Sequence, residues 1–235
     1  SKVFWKYVNS KVKSRGVIPD LVIKERNSEV TVTEDKDKAE ALASYFSSIF
    51  VKEPDWSWIL DDANNSKYQE PFQITREDIE LKLKNLDASK SPGLDQVHPR
   101  ALKEISESIV EPLFIMFSKS LELGKVPTPW KSSLVTPIYK NKGNKSSPSS
   151  YRPISLTSTV SRMMESIIKD YLFEYLNDNK ILSDKQYGFI SGRSTVLQLL
   201  TVIDKWTESI DRGVAVDVIF FDFQKAFDTV PHKRL

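Results

Sequence analysis

Apolar residues recur at helical spacing in several segments of the chain, and these segments predict its helices. In residues 34–51, Leu42, Phe46 and Phe50 fall on one face of a helix. A longer helix is predicted at 158–178, where the apolar stripe runs through Met163 and Met164, which are interpreted as core residues. The other predicted helices lie at 75–86, 99–123 and 194–211.

Three features are expected to set where these helices begin, bend and end. Thr75 and Asp78 approximate a capping box, in which the side chain of each residue accepts a hydrogen bond from the backbone N–H of the other. Pro112 lacks a backbone N–H and is expected to kink the region 99–123 or to split it in two. Gly124 is expected to cap the end of that region.

Three shorter segments have the composition and spacing of β-strands. Residues 133–140 and 151–157 are separated by the polar run NKGNKSSPSS, so they predict a β-hairpin with a long basic loop. Gly213 is expected to break the chain before a third strand at 214–223, where apolar residues alternate. That strand is apolar enough to be central in a sheet. The mixture of helices and strands predicts an α+β fold.

Composition narrows the class of protein. Of the 235 residues, 40% are hydrophobic and 28% are charged, as in an ordinary soluble globular protein. The absence of cysteine excludes a disulfide framework, a Cys-type zinc site and a cysteine nucleophile. No apolar run approaches the ~18 residues of a membrane helix, and no signal peptide is recognisable at the start. Because the chain begins with Ser1 and ends at Leu235, a fragment is expected.

The net charge of +2 conceals a strong charge pattern. Residues 1–24 carry six Lys or Arg and one acid, whereas residues 25–80 carry fourteen acids and six Lys or Arg. Residues 125–152 carry six Lys or Arg and no acid. Such a run indicates either a surface that binds a polyanion or a solvated loop, and composition alone leaves both interpretations open.

Asp222 is the most informative acidic residue, because it lies at the far end of the predicted strand that carries Val214, Val216, Val218 and Phe220. A buried carboxylate is costly unless it is paired or binds a cation. From the strand alone, Asp222 either caps the following turn or holds a metal ion. Asp217, His98 and His232 are interpreted as structural or non-catalytic, and Asp228 is interpreted as a residue at the start of a helix rather than a second metal ligand.

Five sequence blocks occur in an order that resembles the reverse transcriptases of non-LTR retrotransposons, in the jockey-like and related clades. The last block is Phe221-Asp222-Phe223-Gln224-Lys225-Ala226-Phe227-Asp228, which resembles the first catalytic motif of these enzymes. The earlier blocks, in chain order, are Ser91-Pro92-Gly93-Leu94-Asp95, Trp130-Lys131 with Pro137-Ile138-Tyr139-Lys140, Tyr151-Arg152-Pro153-Ile154-Ser155-Leu156, and Gln186-Tyr187-Gly188-Phe189 with Gly192-Arg193-Ser194-Thr195.

The resemblance implies how the chain is divided. Residues 1–70 would be an extension or linker before the polymerase, with a loose match to the family. Independently of the resemblance, Pro54 and Pro71 predict a linker at 52–73. Residues 71–212 would be the mostly helical fingers of a right-hand polymerase, with the basic hairpin. Residues 213–235 would be the start of a truncated palm, whose first strand has few or no partners.

The resemblance also implies roles for individual residues. Asp222 would be the catalytic carboxylate and a metal ligand, and Phe223 would supply a backbone carbonyl to the metal. Lys140 and Arg152 would meet the phosphates of the incoming nucleotide, although ordinary surface charge is the alternative. Phe227 would exclude the ribose 2′-hydroxyl, although it could be a core residue. Candidates for contact with nucleic acid are Lys131, Lys142, Lys145, Arg193 and Gly93.

The implied activity is RNA-directed DNA polymerisation with two Mg²⁺ ions, which copies element RNA into DNA. The implied partners are an RNA template, a DNA primer and deoxynucleotide triphosphates. The implied location is inside the cell, in the cytoplasm and nucleus, and neither secretion nor a membrane is expected. The Asp-Asp motif of the family does not follow Asp222, so the chain alone is expected to be inactive. The alternative function is a fingers module that binds nucleic acid without catalysis, or a decayed or domesticated copy.

Overall fold

Six helices and four strands lie within the residues that the computed structural model describes, which are 18–25, 28–51 and 72–230. The α+β class expected from the sequence is confirmed. The strands are β1 (Leu21–Glu25), β2 (Ser28–Val32), β3 (Leu134–Tyr139) and β4 (Tyr151–Leu156). The helices are α1 (Asp35–Ser47), α2 (Arg76–Lys84), α3 (Pro99–Glu104), α4 (Ser106–Leu123), α5 (Thr159–Asp178) and α6 (Thr195–Asp211). No helix in this part of the chain has both the length and the apolarity needed to cross a membrane.

The chain divides into two compact units. The hairpin unit consists of the described residues within 1–64, 132–157 and 224–235. The helical unit consists of those within 65–131 and 158–223. The linker predicted at 52–73 lies almost wholly outside the described residues.

The hairpin unit contains two antiparallel hairpins and helix α1. Strand β1 pairs with β2, and β3 pairs with β4, as the sequence predicts for the second pair. Leu21, Leu42, Phe46 and Tyr151 form the buried core, which therefore joins one residue from each hairpin to two from α1. The first hairpin was not predicted, because its residues were assigned to the extension before the polymerase.

The helical unit has a larger core, built from α2, α3, α4 and α5. Helix α2 begins at the predicted capping box, in which Thr75 Oγ1 accepts from the Asp78 N–H at 3.1 Å and Asp78 accepts from the Thr75 N–H at 2.9 Å. The predicted core position of the two methionines is confirmed. The buried core residues are Ile74, Ile79, Leu83, Leu102, Leu113, Phe117, Met163, Met164 and Ile167.

The predicted division of residues 99–123 at Pro112 is wrong. The chain breaks instead at Ile105, whose φ of −100° and ψ of 18° end α3 and precede α4. Helix α4 continues through Pro112, which is exposed. Proline has no N–H to donate to the carbonyl one turn earlier in the helix. On an exposed face, water can donate to that carbonyl instead, and this lowers the cost of keeping proline inside the helix.

The predicted strand at 214–223 is also wrong. These residues form no strand in the structure, and they are exposed, with Phe220 at 86% and Phe221 at 88%. Strands need neighbours, and the described part of the chain supplies no partner strand for this segment. The alternating pattern therefore identifies a strand-forming sequence without the sheet that would bury it.

Gly124 is expected to tolerate alanine poorly, although there is room for a side chain. Its φ of 60° is left-handed, and an added Cβ would meet nothing within 4 Å. Gly124→Ala should therefore lower the free energy of unfolding by about 1 kcal/mol, through backbone strain alone. Urea unfolding would measure the change. Gly188→Ala is the matched control, because Gly188 also has open space but no positive φ; equal losses in the two variants would contradict this account.

Candidate nucleotide and nucleic-acid site

The β3–β4 hairpin has two different faces. Residues with odd numbers, including Tyr139 and Tyr151, point toward α1 and the core of the hairpin unit. Residues with even numbers form the other face, which we call the open face. Three of its apolar side chains, Leu134, Ile138 and Ile154, are 41–52% exposed.

Lys140 and Arg152 both lie on the open face. Arg152 is paired with Ile138, and Lys140 follows two residues later, where its N–H donates to the Ser150 carbonyl at 2.8 Å. The two cations are therefore diagonal neighbours, a relation that brings Cα atoms to about 7–8 Å. Arg152 is exposed. Lys140 is half-buried, and its ammonium donates to the Ser149 carbonyl at 2.7 Å.

The basic loop between the strands is held in shape by hydrogen bonds from two tyrosines. Tyr139 donates to the Gly143 carbonyl at 2.6 Å, and Tyr151 donates to the Lys145 carbonyl at 2.7 Å. Burial raises the pKa of the Tyr151 hydroxyl, so it stays a donor. Lys142 is exposed, while the Lys145 ammonium lies 5.5 Å from the centre of the Tyr139 ring. The loop thus presents its cations from an ordered backbone.

Phe227 lies in the hairpin unit, within a tight turn in which the Lys225 carbonyl accepts from the N–H groups of Asp228 and Thr229. The Phe227 ring is 77% exposed and lines an apolar groove together with Pro137 and Pro153. Those prolines belong to the face opposite the open face. The structure therefore does not bring Phe227 to the same side of the hairpin as Lys140 and Arg152, and its role at the nucleotide stays a prediction.

Asp222 and Phe223 belong to the helical unit and lie in the extended segment after α6. Both are exposed, with Phe223 at 84%. Within the described residues, no group of three His, Asp or Glu side chains is arranged to hold a metal ion. The Asp222 carboxylate and the Phe223 carbonyl are hard oxygen ligands of the kind that Mg²⁺ prefers, but they are only part of a ligand set.

The other predicted contact residues differ in how available they are. Lys131 is exposed at the end of a short 3-10 turn, next to Trp130, whose ring meets that of Phe117 edge-on at 5.9 Å. Gly93 is buried, and its carbonyl accepts from the Gln96 N–H at 3.1 Å. Arg193 already donates to two carbonyls of its own loop, each at 2.6 Å. Lys131 is therefore the most accessible of the three.

Two of the residues interpreted as structural or non-catalytic, His98 and Asp228, lie at a helix cap and in a turn. His98 caps α3, where its Nδ1 accepts from the Arg100 N–H at 3.1 Å. Asp228 is half-buried in the turn that carries Phe227, rather than at the start of a helix. His232 lies outside the described residues. A cluster of three further cations, Lys82, Lys90 and Arg162, was not predicted, because it forms only when α2 and α5 pack together.

Comparison with known proteins shows which family this chain is similar to. The family model described as "Reverse transcriptase (RNA-dependent DNA polymerase)" matches residues 139–235. That range includes the second strand of the hairpin, α5, α6 and the segment with Asp222.

Several relatives come from Drosophila melanogaster. The probable RNA-directed DNA polymerase from transposon BS is 34% identical over 162 residues, which are 69% of this chain and 18% of the relative. The RNA-directed DNA polymerase from mobile element jockey is 28% identical over 71% of this chain and 19% of its own length. The corresponding probable enzyme from transposon X-element is 29% identical over 61% and 16%. The chain thus spans less than a fifth of the length of each of these relatives.

Proposed function

The chain belongs, over part of the length of its relatives, to the reverse transcriptase family of non-LTR retrotransposons, and we propose that it serves RNA-directed DNA synthesis. In this proposal, residues 71–212 act as the fingers and residues 213–235 begin the palm, after an extension at 1–70. The substrates are an RNA template, a DNA primer and deoxynucleotide triphosphates, inside the cell that copies the element.

The observation that carries the proposal is the shared position of Lys140 and Arg152 on the open face of the hairpin. A triphosphate carries several negative charges within a few ångströms, so two neighbouring cations on one face can meet it together. Lys140 would then exchange its hydrogen bond to the Ser149 carbonyl for one to a phosphate oxygen. The guanidinium of Arg152 can donate two parallel hydrogen bonds to a phosphate, whereas Lys140 acts as a point charge. The backbone that carries these two residues is already fixed by strand pairing, so little conformational entropy of the backbone is lost when the ligand binds.

Magnesium chemistry would involve the other end of the chain. Asp222 would supply a carboxylate and Phe223 a backbone carbonyl, and bound Mg²⁺ would activate the primer hydroxyl and hold the triphosphate. One carboxylate and one carbonyl are too few ligands for two Mg²⁺ ions, and the described residues bring no further carboxylates to them. We therefore expect catalysis only where further carboxylates complete the palm.

A second function is favoured by the acid-free basic run at 125–152, which suits a polyanion whether or not catalysis follows. The 235 residues would then act as a fingers module that binds nucleic acid without catalysis. Lys131, Lys142 and Lys145 would contact the phosphate backbone, with smaller contributions from Arg193 and Gly93, which make internal contacts. Sequencing beyond the codon for Leu235 separates the two functions, because an Asp-Asp turn in the same reading frame favours the polymerase.

The proposal predicts that the 235-residue chain binds RNA with strong salt dependence. If the basic hairpin contributes about four phosphate contacts, log K should fall against log salt with a slope of roughly −3. Affinity for a single-stranded RNA oligomer should then fall about sixtyfold between about 50 and about 200 mM salt. Fluorescence anisotropy with a labelled RNA would measure the slope, and affinity that does not change over this range would contradict the proposal.

Charge reversal on the open face provides the matched comparison. Lys140→Glu together with Arg152→Glu should weaken RNA and triphosphate binding at least about tenfold and make the slope shallower by about 1.5. Lys36→Glu together with Lys205→Glu changes the net charge equally at two exposed positions that lie outside β3, β4 and the loop between them. Equal losses in the two double variants would mean that net charge alone, rather than this face, determines binding.

A further inference from the structure

A cavity of about 330 Å³ opens in the helical unit between the end of α2, the loop that follows it, and the start of α5. This volume is near the lower limit of about 300 Å³ for small-molecule sites. The loop continues directly into the Ser91-Pro92-Gly93 block. The polar and charged side chains that line the cavity include Lys82, Asp87, Lys90, Thr159, Arg162 and Ser166.

Arg162 is the residue that makes this cavity unusual. Its side chain is half-buried, and its guanidinium donates to the Thr159 hydroxyl at 3.2 Å. No carboxylate lies within ion-pair distance of it in the part of the chain that the structure describes. A half-buried charge without a counter-charge loses hydration and gains no ion pair in return. An anion in the cavity would supply the missing partner.

The other cations of the cavity are arranged in two ways. Lys82 is 22% exposed, forms an ion pair with Asp170, and donates to the Ser166 hydroxyl at 2.8 Å. This pair holds α2 against α5 and fixes one wall. Lys90 is exposed on the loop and has no ion pair among the described residues. Lys90 is therefore free to turn toward a ligand at the mouth.

One carboxylate also faces the cavity, and its interactions are local. Asp87 accepts from the Ser89 hydroxyl at 2.6 Å and from the Ser89 N–H at 2.9 Å. These hydrogen bonds, chiefly the one from the Ser89 hydroxyl, hold the pKa of Asp87 below its usual range. The carboxylate thus stabilises the turn before Lys90. Because Lys82 is paired with Asp170, the lining keeps two cations without an ion pair, Lys90 and Arg162, against the one carboxylate of Asp87.

We infer that this cavity binds a phosphodiester group of a single-stranded RNA template, with Arg162 at its base and Lys90 at its mouth. The inference rests on the proposed function and adds three residues, Lys82, Lys90 and Arg162, to the nucleic-acid surface. A phosphodiester has two free oxygens, which suits one guanidinium and one ammonium. A nucleic-acid backbone is favoured over free phosphate, because only a continuous strand would also follow the neighbouring Ser91-Pro92-Gly93 loop.

The test uses the full 235-residue chain and a labelled single-stranded RNA oligomer. Arg162→Gln keeps an N–H donor but removes the charge and shortens the side chain, and it should weaken RNA binding about tenfold and make the salt slope shallower by about 0.7. Lys90→Gln should weaken binding about threefold; because Lys90 is exposed, this variant reports on the site even if Arg162→Gln fails to fold. The control is Lys169→Gln, an exposed cation on α5 that does not line the cavity.

Each outcome has a separate meaning. Absence of RNA binding by the wild-type chain overturns the proposed function and this inference together. Salt-dependent binding that is weakened by the open-face variants but unaffected by Lys90→Gln and by folded Arg162→Gln overturns this inference alone. Titration with inorganic phosphate in place of RNA separates the two phosphate sources. If the variants weaken phosphate binding and leave RNA binding unchanged, the site belongs to a free phosphate and the inference is wrong.

Discussion

Phe117→Ala is expected to lower the free energy of unfolding of the helical unit by about 3–5 kcal/mol. Phe117 is fully buried in the core formed by α2, α4 and α5, and its ring meets Trp130 edge-on at 5.9 Å. Alanine would remove the ring and leave a cavity that neighbouring helices can fill only in part. Urea unfolding, followed by circular dichroism of the helices, would measure the loss.

The control for this change lies two residues earlier on the same helix. Ile115 is 60% exposed, so Ile115→Ala removes apolar surface without opening a cavity and should change stability by no more than about 0.5 kcal/mol. Phe117→Ala should also quench or shift the fluorescence that depends on Trp130, whereas Ile115→Ala should not. A loss below about 1 kcal/mol for Phe117→Ala would mean that this core is not packed as the structure describes.

Helices could be predicted well from this sequence, because their apolar stripes are long and their ends carry local signals. The capping box at Thr75 and the left-handed cap at Gly124 depend on a few neighbouring residues, so sequence spacing suffices to find them. The break at Ile105 has no such signal. Proline was the obvious breaker in that region, but the exposed position of Pro112 makes it tolerable, and only the packed structure shows which face is exposed.

Strands were predicted less reliably, because a strand depends on a partner that local sequence does not reveal. Residues 134–139 and 151–156 form the predicted hairpin, since each supplies the other's partner. Residues 214–223 have an equally clear alternation but no partner in the described part of the chain. The alternation therefore reports strand propensity, and the pairing is a property of the whole fold.

The candidate site shows the same division between local and long-range information. Motif order led to Lys140 and Arg152, and the register of β3 and β4 puts them on one face. Sequence order could not reveal that Phe227 lines the opposite side, or that Arg193 is engaged by its own loop. Arg162 was missed because a single cation inside an amphipathic helix looks like a solvated residue until the facing helix is known.

Asp222→Asn is expected to reduce nucleotide addition by about a thousandfold or more in a protein that contains these residues together with a complete palm. Asparagine keeps the shape of the side chain but removes the negative charge that would balance Mg²⁺, and metal positioning is the main catalytic device in nucleotidyl transfer. A thousandfold loss corresponds to ~4 kcal/mol of transition-state stabilisation. Extension of a DNA primer on an RNA template, with Mg²⁺ present, would measure the rate.

Asp228→Asn is the matched comparison for this carboxylate, because it is the same substitution six residues later. Asp228 is half-buried in the turn after Lys225, and we expect its variant to retain most of the activity.

Asp222 is exposed and has no ion pair among the described residues, so its substitution should leave the melting temperature without Mg²⁺ unchanged or slightly raised. Loss of activity with intact stability would therefore identify a catalytic charge, because substitution of a merely structural residue would lower both activity and stability. If extension survives Asp222→Asn, or if Asp228→Asn is the change that abolishes it, the catalytic carboxylate has been assigned to the wrong residue.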